Sequence, residues 1–140
     1  MTPQLEEAVR LLRLARRDQA AFALLAAAAE IDDAIACFHA QQSAEKALKA
    51  VLCLRGIEYR RTHDLEELGG MLADAGLSPP VGVTDLRRLT PYAVEFRYDD
   101  DPLHLITREQ AAEIVEKLIA WATRCIGDDG AASKASSSGS

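Results

Sequence analysis

With 140 residues, 49% of them hydrophobic and 27% charged, the chain has the size and balance of one domain that buries its own core. A formal net charge of −6 argues against a protein that coats nucleic acid, though it leaves room for a local basic site. Aromatic residues amount to only 5% and alanine and leucine dominate the apolar fraction, a bias toward helix over sheet. No signal peptide is evident and no apolar run approaches the roughly 18 residues of a membrane span, so a cytoplasmic location is expected. Cys37, Cys53 and Cys125 are widely spaced in apolar helical context and predict buried free thiols in a reducing compartment. Neither a CxxC pair nor a Cys/His cluster suggests a metal.

The first helix is expected from Thr2-Pro3 to the alanine run ending near Ala29. Leu5, Ala8, Leu12, Ala15 and Phe22 share its core side, and Arg10, Arg13 and Arg17 form an opposite basic stripe, either a solvated face or a surface for a partner or phosphate. Glu30 to Asp33 is the break, with Asp32 or Asp33 as the next N-cap. The second helix runs to Gly56, a good residue to follow a helix end, and contains the favourable pair Glu45 and Lys49. At about 100° per residue, Ala40, Ala44, Ala47, Leu48, Val51 and Leu52 fall on one side of it, with His39, Gln42, Lys46 and Lys49 on the other. That polar stripe is either a solvated face or a groove that binds phosphate, with the two lysines as point charges and Gln42 reading an edge. Gln41 falls on the apolar side and is expected to be a buried amide in need of a partner.

Arg55, Arg60 and Arg61 form a basic loop, the local segment best suited to an anionic ligand. Thr62 or Asp64 then caps a third helix containing Leu65, Leu68 and Leu72, weakened by Gly69-Gly70 and ended by Gly76 to Pro80. His63 is read as a capping or packing residue ahead of a catalytic one. A fourth helix starts near Thr84-Asp85 and heads for Arg97, with Pro91 kinking or dividing it. Asp99 to Pro102 is a loop, and Thr107-Arg108-Glu109-Gln110 forms a capping box for the last helix. Ala111, Val115, Leu118, Ala122 and Cys125 give that helix its core stripe. Residues 127–140 are small and polar without periodicity and are expected to form a disordered tail beyond a helical domain of residues 1–126. Five helices and no convincing strand predict an all-α, up-and-down helical bundle.

The run from Phe38 to Ala50 (FHAQQSAEKALKA), the element Thr62-His63-Asp64-Leu65 and the turn Phe96-Arg97-Tyr98-Asp99 together resemble the HEPN (higher eukaryotes and prokaryotes nucleotide-binding) domain family. The likeness extends over almost the whole chain to about Ile126. It implies a helical domain that pairs as a homodimer, without metal or cofactor. Some members are nucleotide- or RNA-binding modules, some of them beside a minimal nucleotidyltransferase. Others are metal-independent endoribonucleases, many of them toxins neutralised by an antitoxin partner. Catalytic members carry an Arg followed a few residues later by a His, a pattern that Arg97 and His104 satisfy with six residues between them. In that role His104 exchanges protons and Arg97 clamps the non-bridging oxygens of the scissile phosphate. Three features depart from the pattern. Asp99, Asp100 and Asp101 repel an approaching phosphodiester, and Ile106 stands where some toxins carry a tyrosine modified by the nucleotidyltransferase. An Arg-Tyr-Asp turn also occurs in members without the catalytic pair, which leaves a structural role open for Arg97. The expectation is therefore a nucleotide- or RNA-binding module contacting its ligand through His39, Gln42, Lys46, Lys49, Arg60 and Arg61, and acting with a nucleotidyltransferase. The alternative is an endoribonuclease toxin using Arg97 and His104.

Overall fold

Pro3 opens α1 (Pro3–Ala26) at a position where its missing N–H has no helical partner to lose, and Thr2 Oγ1 caps the helix by accepting from the Leu5 amide at 3.1 Å. The computed structural model describes residues 1–94 and 105–138, with side chains along the last helix described as far as Gly127. Leu5, Ala8, Leu12, Ala15 and Phe22 of α1 are all buried, joined by Leu11. The helix stops at Ala26, short of the expected Ala29. α2 (Asp33–Leu54) begins behind Asp32, whose side chain makes no capping hydrogen bond. At its far end Gly56 takes φ +68°. The Ile57 amide donates to the Leu52 carbonyl at 2.9 Å and the Gly56 amide to the Cys53 carbonyl at 3.1 Å, a closure that needs a left-handed residue.

Asp64 caps α3 (Leu65–Asp74) by accepting the Glu66 and Glu67 amides at 3.0 and 3.2 Å. Gly69, which weakens α3 as a helix, faces α4 (Val83–Leu89): a Cβ there would lie 2.8 Å from Leu86 Cδ1. Pro91 divides the next stretch as expected, and α4 gives way to a 3-10 turn over Thr90–Ala93. Thr90 fastens the two parts, its hydroxyl donating to the Leu86 carbonyl at 2.9 Å and accepting from the Leu65 amide at 3.1 Å. The capping box of α5 (Arg108–Ser138) is reciprocal, with Gln110 N–H to Thr107 Oγ1 and Thr107 N–H to Gln110 Oε1 both at 3.0 Å. The α5 backbone runs on past the Gly127 boundary set by the sequence; Ala131, Ala132, Lys134 and Ala135 all have good helix propensity.

α2 is the centre of the molecule, packed on α1, α5, α3, α4 and the 3-10 turn, and no residue from Ala36 to Leu54 is exposed. Ser43 Oγ donates to the Ala15 carbonyl at 2.7 Å and Cys53 Sγ reaches the Gln4 carbonyl at 3.8 Å, so α1 and α2 run antiparallel. Arg108 meets the end of α1 while Arg16 donates to Thr123 Oγ1 at 2.8 Å, which makes α5 antiparallel to α1 and parallel to α2. The short helices α3 and α4 carry the chain back across the bundle to allow this. Among the described residues there are five α-helices and no strand, the all-α bundle expected. Fully buried alanines at 8, 15, 36, 40, 44 and 47 keep the facing surfaces small, and Leu48, Leu52, Leu65, Leu68, Leu72, Leu89, Tyr92 and Leu118 fill the space between helices. The expectation of buried thiols holds for Cys37 alone, whose thiol burial pushes up to about 11; Cys53 and Cys125 are half-buried, and all three are free. Among the described residues no helix is long and apolar enough to cross a membrane.

Candidate functional site

The polar stripe of α2 does not stand free in solvent. His39, Gln42, Lys46 and Lys49 are all half-buried, flanked by α1 on one side and by the segment after Gly56 on the other. Asp18 of α1 forms an ion pair with Lys46 Nζ through Oδ2, and its Oδ1 lies 3.4 Å from His39 Nδ1. One carboxylate thus restrains two groups two helical turns apart. Sequence reasoning missed Asp18 because it sits among Arg13, Arg16 and Arg17 in a run that looks basic. A signal existed, though. Asp18 lies three residues after Ala15 and four before Phe22, on the flank of the core side, where an acid requires a partner.

Glu45 is the second hub, with its side chain 7% exposed. Oε1 accepts from His63 Nδ1 at 2.7 Å and from Gln41 Nε2 at 3.3 Å, and Oε2 accepts from Lys49 Nζ at 2.9 Å. A carboxylate this deep is tolerated because its oxygens are paired and hydrogen-bonded. Gln41, wholly buried, is the amide in need of a partner that the helical wheel predicts. It donates to the His63 carbonyl at 2.9 Å and accepts from Gln42 Nε2 at 2.8 Å. The Phe38–Ala50 run and the Thr62–Leu65 element are therefore one structural unit, joined by Gln41 and Glu45. His63 packs through its main chain, its carbonyl accepting from buried Gln41, while Asp64 is the cap and the imidazole is 63% exposed on the Glu45 side. Lys49 also places its ammonium 5.6 Å from the Tyr59 ring centroid, a cation–π contact.

Of the loop cations, Arg60 pairs with Glu67 at 2.6 Å and holds that carboxyl below its ordinary range, while Arg61 is exposed with no ion pair among the described residues. Arg97 and His104, with the Phe96–Asp99 turn, lie outside the described residues. The structure beside them is defined: Tyr92, buried in the core, accepts the Leu105 amide on its hydroxyl at 3.1 Å. An open depression of about 380 Å³ next to Leu105 is lined by Asp33, Ile106, Thr107 and Arg108. Its cation is already committed, because Arg108 is bound to Asp33 and to main-chain carbonyls. Ile106 is a core residue, 5% exposed. No group of three His, Cys, Asp or Glu among the described residues is placed to hold a metal ion.

These elements define an all-helical domain built around one buried helix with a restrained polar face. A model of the HEPN domain matches residues 8–125, and the chain belongs to the HEPN family. Among solved structures it is similar to the crystal structure of ST0689, an archaeal HEPN homologue, at 23% identity and a TM-score of 0.42, covering 89% of this chain and 93% of that chain. No curated protein matches the sequence.

Proposed function

We propose that the protein is a nucleotide- or RNA-binding HEPN module that works with a nucleotidyltransferase partner, and that the polar face of α2 is its contact surface. The observation that carries this reading is the restraint of that face. His39, Gln42, Lys46 and Lys49 are held by Asp18, Gln41 and Glu45 on the most buried helix of the molecule. A merely solvated face leaves long side chains mobile, whereas fixing one costs up to about 2 kcal/mol in rotamer entropy. Donors fixed in advance lose less on binding. Asp18 and Glu45 also offset the lysines, in keeping with the net charge of −6, so a ligand is held by few phosphate contacts.

The test is binding of ATP and of a labelled single-stranded RNA at two salt concentrations. The reading expects a shallow salt dependence, about 0.7 log units of affinity per log unit of salt for each phosphate contacted. Lys46→Ala is expected to weaken binding about tenfold, the loss of one charged hydrogen bond. Unchanged affinity in Lys46→Ala removes this face from consideration. Co-purification with a nucleotidyltransferase encoded beside it tests the partner, and light scattering tests homodimerisation.

The Arg97-to-His104 spacing favours a second reading, a metal-independent endoribonuclease toxin. It expects growth arrest on expression and RNA cleavage in EDTA, both abolished by Arg97→Ala or His104→Ala. An inert wild-type protein sinks it.

A further inference from the structure

The segment between α2 and α3 sends its side chains in two directions. Arg60 turns to α3, pairing with Glu67 at 2.6 Å, and Thr62 is buried with its hydroxyl accepting the Asp64 amide at 3.1 Å. Tyr59 and His63 turn instead to α2, the first under the Lys49 ammonium and the second on Glu45. Arg60, Arg61 and His63 are exposed and Thr62 is buried. Arg61 stands two residues before His63, exposed, at a bend in this segment. It makes no ion pair among the described residues, unlike Arg60 and His63 on either side of it.

Glu45 fixes what the His63 ring presents. Its carboxylate, which also takes the Lys49 ammonium, can only accept, so Nδ1 of the imidazole must carry the hydrogen. Nε2 is then the nitrogen available to a ligand, on a side chain 63% exposed, with the ring held by a buried anchor. A carboxylate-held imidazole with its second nitrogen outward is built to exchange or donate a proton at that atom.

Resting on the nucleotide-binding reading above, we infer that His63 and Arg61 recognise the terminal phosphate of a nucleotide, with Glu45 as the positioning residue. The ring meets one phosphate oxygen through Nε2, and the Arg61 fork takes two others. Lys49, held between Glu45 and Tyr59, adds positive charge behind the ring. A phosphomonoester suits this pair better than a diester. It bears close to two negative charges and three free oxygens at neutral pH, where the diester bears one charge and two.

The experiment titrates the full-length protein, without divalent cations, with AMP, adenosine and 3′,5′-cyclic AMP. Binding is followed by calorimetry and by NMR of the imidazole nitrogens. AMP is expected to bind at least about tenfold more tightly than adenosine or the cyclic diester, and to move the His63 Nε2 resonance. His63→Gln and Arg61→Gln are each expected to lower AMP affinity about tenfold. Arg61→Gln does so at an unchanged unfolding midpoint, since its side chain is exposed without an ion pair among the described residues, whereas His63→Gln also loses the bond to buried Glu45 and lowers the midpoint. Glu45→Gln is expected to shift the ring toward the Nε2–H tautomer, a signature that a purely structural glutamate would not produce. If AMP binds both loop variants as it binds wild type, yet is lost in Lys46→Ala, the inference is overturned while the nucleotide-binding reading stands. If wild type binds none of the three ligands, both fall.

Discussion

Arg108 shows how much one side chain can organise. Its Nε donates to Asp33 at 2.6 Å, its Nη1 to the carbonyls of Leu25, Ala26 and Ala28 at 3.3, 3.0 and 2.9 Å, and its Nη2 to the Ile31 carbonyl. The end of α1 is where helical carbonyls lack partners and the helix dipole is negative, so a cation is favoured there twice over. The Leu25 and Ala28 carbonyls also accept the Ala28 and Ile31 amides, so Arg108→Ala strands chiefly the Ala26 and Ile31 carbonyls, at a side chain only 19% exposed. It is expected to destabilise the protein by about 3 kcal/mol in urea unfolding. Arg108→Lys should recover little of this, because an ammonium cannot reproduce the planar fork. A loss near zero would mean that water replaces the guanidinium. The sequence shows Arg108 only as a member of a capping box, since its partners stand 75 to 83 residues away. Gln41 was legible by contrast, because a helical wheel alone puts it among alanines and leucines. Asp18 offers a companion test: Asp18→Asn releases Lys46 and is expected to tighten anion binding severalfold, read by the same RNA titration.

At the scale of the element, the helix ends were legible because their chemistry is local. Thr107 with Gln110, Gly56, Asp64 and Pro91 each act within a turn of chain, and each does what its position suggests. The partners of the α2 stripe were not legible, because they depend on which flank of α1 lies beside it. The pair Gly69-Gly70 separates the two kinds of information. In sequence both glycines weaken α3 alike, but a Cβ at Gly70 meets nothing within 4 Å while one at Gly69 lies 2.8 Å from Leu86 Cδ1. Gly70→Ala is expected to raise stability by about 0.5–1 kcal/mol. Gly69→Ala gains the same helix propensity but must displace a buried leucine, so its net change is expected near zero or unfavourable. Equal gains at both sites would show that Leu86 yields freely.

Across the whole molecule, the small helices are tied on by exposed ion pairs as well as by core contacts. Glu66 joins α3 to Arg87 of α4, and Glu67 joins α3 to Arg60; hydrogen bonds from the arginines hold both carboxyls below their ordinary value of 4.5. A carboxyl depressed in the folded state contributes stability that is present above that value and lost as pH falls through the folded one. Thermal midpoints are therefore expected to drop on acidification from about pH 4.5 downward, with a shallower drop in a Glu66→Gln, Glu67→Gln double variant and in high salt. An identical profile for wild type and double variant would rule out these pairs as its source. The packing of α2 against α1, α5 and the short helices, which leaves its polar face half-buried, has a different consequence, one of time. Its amides, hidden beneath α1, α5 and the short helices, have no local opening by which to meet water. From Ala40 to Leu52 their hydrogens should exchange with deuterium only when the entire molecule unfolds, long after the first turn of α1 has exchanged. The helix that carries the polar face is thus also the slowest clock in the protein.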